Sequence, residues 1–146
     1  MRRRFLLSCM LMVGLASWSV AQAPPSAIEE LKTKAESMKD YERGKIYSEI
    51  ARELTEQANR QFADGQLEPA LETVKQVIEF SEKASASAKL RNKKTKDTEI
   101  NLRRTARRLE EVERSLAVED RPPVRAAVEK VDAIRKDLLE FFLKRG

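Results

Sequence analysis

The chain has 146 residues, with 29 Lys or Arg against 24 Asp or Glu, a single cysteine and no histidine. Histidine and cysteine supply most nucleophile, proton-shuttle and transition-metal chemistry, so the composition argues against those enzyme classes at once. Glycine is scarce and Ala, Glu, Lys, Arg and Leu dominate, which is a helix-forming composition.

The chain opens with Arg2-Arg3-Arg4, an apolar stretch from Phe5 to about Leu15, and the small-x-small triplet Ser19-Val20-Ala21. That is the layout of a bacterial secretory signal peptide, and it predicts cleavage after Ala21. Ala21-Gln22-Ala23 offers a second, poorer cleavage point because Pro24 follows it. Lipid anchoring through Cys9 is disfavoured, since few apolar residues precede it where a region of about 7–15 is usual. Arg2-Arg3-Arg4-Phe5-Leu6 also matches the twin-arginine pattern, but that route suits cofactor-loaded proteins and no cofactor ligands are apparent. The apolar core is shorter than the ~20 residues of a spanning helix. The expected product is exported, periplasmic or secreted, with no transmembrane helix after signal removal. Losing Arg2–Arg4 leaves 26 basic residues against 24 acidic, so the basic excess of the precursor is no sign of nucleic-acid binding.

Residues 22–26, with Pro24-Pro25, read as a flexible lead, and 27–146 as a single helical domain. Ser26 with Glu29 three residues on predicts a capping box. Ile28, Leu31, Ala35 and Met38 then recur at helical spacing, with Asp40 as a second cap and Gly44 as a weak join. Ile46, Tyr47, Ile50, Ala51, Leu54, Ala58 and Phe62 make the apolar face of the next helix, which stops at Asp64-Gly65. From Leu67 to about Val118 no glycine intervenes. Leu67, Leu71, Val74 and Ile78 suggest a seam, which resumes, after a small-residue stretch (Ser81, Ala84, Ala88), at Thr98, Leu102, Ala106, Leu109, Val112 and Leu116. This predicts one long central helix of roughly 50 residues, about 75 Å. A kink or short loop across Arg91–Asp97, where the seam fades, is the alternative. Asp120-Arg121-Pro122-Pro123 breaks the chain, and Ala127, Val131, Ile134, Leu138 and Phe141 line a last helix. The expected fold is all-α: an elongated antiparallel bundle or hairpin of three to four helices, held without disulfides.

The segment from Ala58 to Leu71 resembles the turn of a tetratricopeptide helical hairpin. In that family a small residue lies seven before a turn glycine and an alanine five after it, and Ala58, Gly65 and Ala70 meet both spacings. The resemblance covers about residues 54–80, departs from the pattern at Gln61, where an aromatic is usual, and has no second copy in the chain. It implies a tight antiparallel helix pair and a bias toward protein–protein contact.

Two features suggest contact surfaces. Arg91–Arg108 carries eight basic residues against Asp97 and Glu99, and Lys93, Lys96, Arg103, Arg104 and Arg107, with Arg108 beside them, are expected to share a broad face able to attract an anionic partner. The block lacks the aromatic residues that nucleic-acid binding through stacking needs. Glu99–Arg103, Arg107–Glu111 and Glu110–Arg114 are also spaced as i,i+4 support pairs. The second feature is the apolar end Leu138-Leu139-Glu140-Phe141-Phe142-Leu143, from which Leu139, Phe142 and Leu143 are expected to reach a partner. The functional expectation is a non-enzymatic, cofactor-free and metal-free exported protein that acts as an interaction or scaffold module or self-associates. A periplasmic holdase-type chaperone and a binder of anionic envelope surfaces through Arg91–Arg108 are the alternatives.

Overall fold

The computed structural model describes residues 26–91 and 94–145. The expected signal peptide of residues 1–21, Cys9 within it, residues 22–25 of the expected lead and Lys93 lie outside these residues. Five α-helices follow one another: α1 (Ala27–Glu36), α2 (Gly44–Ala63), α3 (Leu67–Arg91), α4 (Thr95–Ser115) and α5 (Arg121–Arg145). A single 3-10 turn precedes α2 (Asp40–Glu42) and another precedes α5 (Val118–Asp120). The fold is all-α, with no strand among the described residues, and the helices number five where three to four were expected. None of these helices is long and apolar enough to cross a membrane.

The expected 50-residue helix is two helices. α3 ends at Arg91, and Lys94 sits in the left-handed region, at φ 57°, directly before α4. An L-residue there costs roughly 1–2 kcal/mol. The reversal is compensated by burial of Thr95 and Thr98 at the start of α4. The run Arg91–Asp97 has no apolar side chain to keep a helix attached to a neighbour, so the chain turns where the seam fades.

Cross-helix pairs fix the topology. Thr73 of α3 donates to Gln61 of α2 (2.7 Å), while Gly44 at the start of α2 abuts Ala84 and Ala88 near the end of α3, so these helices are antiparallel. Arg125–Glu113 and Arg135–Glu99 make α4 and α5 antiparallel in the same way. Between the pairs the sense is parallel. Asn101 of α4 bonds Ser48 of α2 and Arg108 bonds Glu56; Lys130 and Asp137 of α5 pair with Glu82 and Lys89 of α3. The α2–α3 hairpin therefore stacks on the α4–α5 hairpin, first helix beside first helix, and α1 packs on α2.

The first hairpin turns at Asp64-Gly65-Gln66. Gly65 holds φ 72°, and the Gln66 amide donates to the Gln61 carbonyl (2.8 Å), closing the end of α2. Ala58 and Ala70 are fully buried, so the helices approach closely beside this turn. At the other end Gly44 performs the same service. A Cβ there would lie 3.1 Å from the Ala84 carbonyl oxygen and 3.1 Å from the Ala88 nitrogen.

The buried face of α2 is the one expected, with Tyr47 and Phe62 only partly covered. On α4 the expected residues Thr98 to Val112 are buried and Leu116 is partly so. On α3 the expected seam is off by one position. Only Val74 of its four residues is buried, Leu67 is exposed, and the inner face runs through Ala70, Val77, Phe80, Ser81, Ala84 and Ala88. α3 touches α2, α4 and α5, and three neighbours require a wide face of small side chains more than a narrow stripe of large ones.

The joins before α2 and α5 share one device. Ser37 and Ser115 each donate to the carbonyl three residues back, at 2.8 and 2.7 Å. Arg43 Nε and Nη2 donate to the Met38 and Glu36 carbonyls, and Arg121 Nε and Nη2 to those of Leu116 and Arg114. These acceptors are carbonyls at or just beyond a helix C-terminus, which have no partner within the helix. Asp40, expected as a cap, instead opens the 3-10 turn; its carboxylate pairs with Arg43 and its carbonyl accepts from Ser87. Ser26 does cap α1 through the Glu29 amide, but the Glu29 carboxylate meets Lys32 and the capping box is half formed.

Candidate contact site between α4 and α5

Orientation of α4 divides the basic block. Its inner face carries Thr98, Leu102, Ala106, Leu109 and Val112, so residues to either side of that stripe look toward different helices. Lys96, Ile100 and Arg103 lie on the α5 side. Arg104 and Arg108 lie toward α2, and Arg107 joins them there. The expected single basic face is two surfaces, and Lys93 lies outside the described residues.

On the α5 side, Lys96, Ile100 and Arg103 face Leu139 and Phe142 across a groove of about 370 Å³. Phe142 is 37% exposed and Leu143, one residue further, 67%. The two features that the sequence offers separately thus meet in one depression. α4 and α5 are antiparallel, which brings the start of one beside the end of the other.

Glu99 forms the floor. Its side chain is only 6% exposed and receives Arg103 Nη2 at 2.6 Å and Arg135 Nη1 at 3.0 Å. Arg135, itself 16% exposed, also holds Asp132 at 2.9 Å, and Asp132 takes Lys136 at 2.7 Å. Burial pulls the Arg135 guanidinium down, but its hydrogen bonds to Glu99 and Asp132 outweigh that and hold it above its ordinary value. Hydrogen bonds from Lys136 and then Arg135 hold the Asp132 carboxyl below the usual carboxylate range against its partial burial. A carboxylate this deep is retained only because two guanidiniums satisfy it. The network fixes Arg103 at the groove edge, since its Nε and Nη2 both engage Glu99.

The α2 side holds a second cleft, of about 310 Å³, where Arg104, Arg107 and Arg108 meet Arg52, Glu53, Glu56 and Glu111. Arg108 grips Glu56 with two bonds (2.7 and 3.1 Å) and Glu111 with a third (2.7 Å). The Arg108 hydrogen bond lowers the Glu56 pKa, and Glu56 in turn raises that of Arg108. Of the three expected i,i+4 pairs, Glu99–Arg103 and Glu110–Arg114 are present, while Glu111 is taken by Arg108 instead of Arg107.

The sequence singled out Lys96, Arg103, Leu139 and Phe142 of the groove but missed Ile100 and the floor made by Glu99 and Arg135. Ile100 interrupts the charged run and is its one large apolar residue pointing off the seam. That signal was available. The α4–α5 groove combines apolar walls with a cationic rim, an arrangement that receives an apolar side chain flanked by a carboxylate. Comparison with family models, with curated proteins and with solved structures finds no match for this chain.

Proposed function

We propose that the protein is a non-enzymatic helical interaction module that holds a protein partner in the α4–α5 groove. The convergence of Lys96 and Arg103 with Ile100, Leu139 and Phe142 in one depression carries this reading. Its partner presents an apolar anchor beside an acidic side chain, and the signal-like pattern of residues 1–21 supports an encounter outside the cytoplasm. The stacking of two hairpins with like helices parallel follows the packing logic of helical repeat arrays. It supports the tetratricopeptide-like reading of the α2–α3 hairpin.

The test is site-specific photocrosslinking in cells from a probe at exposed Leu143, the residue after groove-lining Phe142. One dominant partner is expected, lost on Phe142→Asp or Arg103→Glu and kept on Arg125→Glu. Adducts that are diffuse, or that survive both groove substitutions, would count against the proposal. A holdase-type chaperone is the second reading, favoured by the exposed Leu90, Val118, Phe142 and Leu143. Suppression of aggregation of an unfolded client by the purified chain would support it, and no suppression at molar excess would remove it.

A further inference from the structure

The cleft between α2 and α4 stands apart from the groove, and its charges do not balance locally. α2 and α4 run parallel with Glu56 level with Arg108, so Arg52, one turn earlier on α2, lies level with Arg104 on α4. Two of the three lining glutamates, Glu56 and Glu111, are committed to Arg108. Among the described residues, Arg52, Arg104 and Arg107 enter no ion pair, and Glu53 is the one lining acid not engaged by an arginine. Three guanidiniums thus share a cleft of about 310 Å³ with one uncommitted carboxylate.

Like charges at the same level on neighbouring helices repel unless an anion lies between them. Guanidinium is the side chain whose planar fork matches a tetrahedral oxyanion bidentately. Over all the lining groups the four arginines exceed the three glutamates by one positive charge, so the cleft favours an anion such as phosphate. Thr105 and Thr55 line the same cleft, although the Thr55 and Thr105 hydroxyls already donate to the Ala51 and Asn101 carbonyls. Recognition therefore falls to the arginines.

We infer that the Arg52–Arg104–Arg107 cleft is a binding site for a phosphate group, either free phosphate or a phosphomonoester lipid headgroup. The site is independent of the α4–α5 groove and of whatever occupies it. Arg108 does not serve as a ligand. It is a positioning residue whose bonds occupy Glu56 and Glu111, although Glu56 still acts on Arg52 through space.

The full chain is titrated with inorganic phosphate by calorimetry in a phosphate-free buffer. In a parallel arm it is floated with phosphatidylcholine vesicles containing phosphatidic acid, against phosphatidylcholine alone. Saturable binding is expected in at least one arm, weakened about tenfold or more by Arg104→Gln, Arg107→Gln and Arg52→Gln singly. It should be unchanged by Arg114→Gln, which removes an exposed arginine of the same helix paired with Glu110. Binding of free phosphate assigns a soluble ligand, whereas binding of vesicles alone assigns the headgroup. Circular dichroism checks each variant. A Gln variant with reduced helicity is replaced by the Lys variant, which keeps the charge, loses the fork and should also bind more weakly. No saturable binding in either arm, or equal weakening by Arg114→Gln, would overturn the assignment.

Discussion

Arg43 and Arg121 each reach back to the carbonyls five and seven residues upstream, and so clamp the preceding helix to the one they begin. The sequence around them has the same form, Ser-apolar-x-x-x-acid-Arg, in Ser37-Met38 to Glu42-Arg43 and in Ser115-Leu116 to Asp120-Arg121. Hydrogen bonds to charged groups contribute about 1.5–3 kcal/mol when buried, and these are only partly buried. Arg121→Ala should lower the unfolding free energy by about 1–2 kcal/mol in a urea titration. Arg121→Lys should recover little of it, because an ammonium cannot address both carbonyls from one plane.

Gly44→Ala should destabilise although alanine is the better helix former. The added methyl meets the Ala84 carbonyl oxygen and the Ala88 nitrogen at 3.1 Å, and the Ala88 Cβ at 3.2 Å. Two of these are backbone atoms of a packed helix and cannot swing aside. Overpacking costs about 1–3 kcal/mol, which exceeds the gain of up to about 1 kcal/mol in propensity. A thermal melt showing Gly44→Ala at or above the parent midpoint would contradict this packing.

Lys94→Gly should stabilise. Lys94 is exposed, makes no side-chain cap to α4 and holds a left-handed φ. Relief of that strain exceeds the added freedom of glycine in the unfolded chain, giving a net gain of about 0.5–1 kcal/mol. A rise in the denaturation midpoint at unchanged cooperativity is the expected readout. A continuous α3–α4 helix would instead lose stability on the same change.

The acid side of the stability profile should be steeper than the neutral region. Glu56 and Asp132 both titrate below their ordinary values in the folded chain, through Arg108 and through Lys136 with Arg135 respectively. A carboxyl depressed on folding stabilises fully above its unfolded pKa, and that contribution fades as pH falls through the folded value. With no histidine present, stability should be nearly flat from pH 8 to about 5 and fall below the ordinary carboxylate range. Glu56→Gln and Asp132→Asn should each start from lower neutral stability and lose less on acidification, as read by denaturant titrations across pH.

Helix content, the α2 face and the α4 stripe were legible because amphipathic periodicity and the Ser26 and Gly65 signals act within a few residues. The α3 face was not. Leu67, Leu71, Val74 and Ile78 form a stripe with the right period, but α3 lies against three helices and its interior is chosen by close approach at Ala84 and Ala88. Glu99 looked like one half of a surface pair with Arg103. Its burial comes from Arg135, far along the chain, and no local spacing reports that. The pairing of Arg108 with Glu56 is hidden for the same reason. The repeated clasp at Arg43 and Arg121 was in plain view as a pattern, yet its meaning depends on a turn geometry that composition does not specify.

The stacking order has a kinetic consequence. Each helix packs only on those one or two places away from it in the chain, α2 on α4 and α3 on α5 being the farthest pairs. Native partners therefore become available in the order of synthesis, and no segment has to wait for a distant end of the polypeptide. Folding through such near-neighbour docking belongs to the microsecond-to-millisecond range of helical proteins. A chain emerging from a pore can bury its greasy surfaces as they appear.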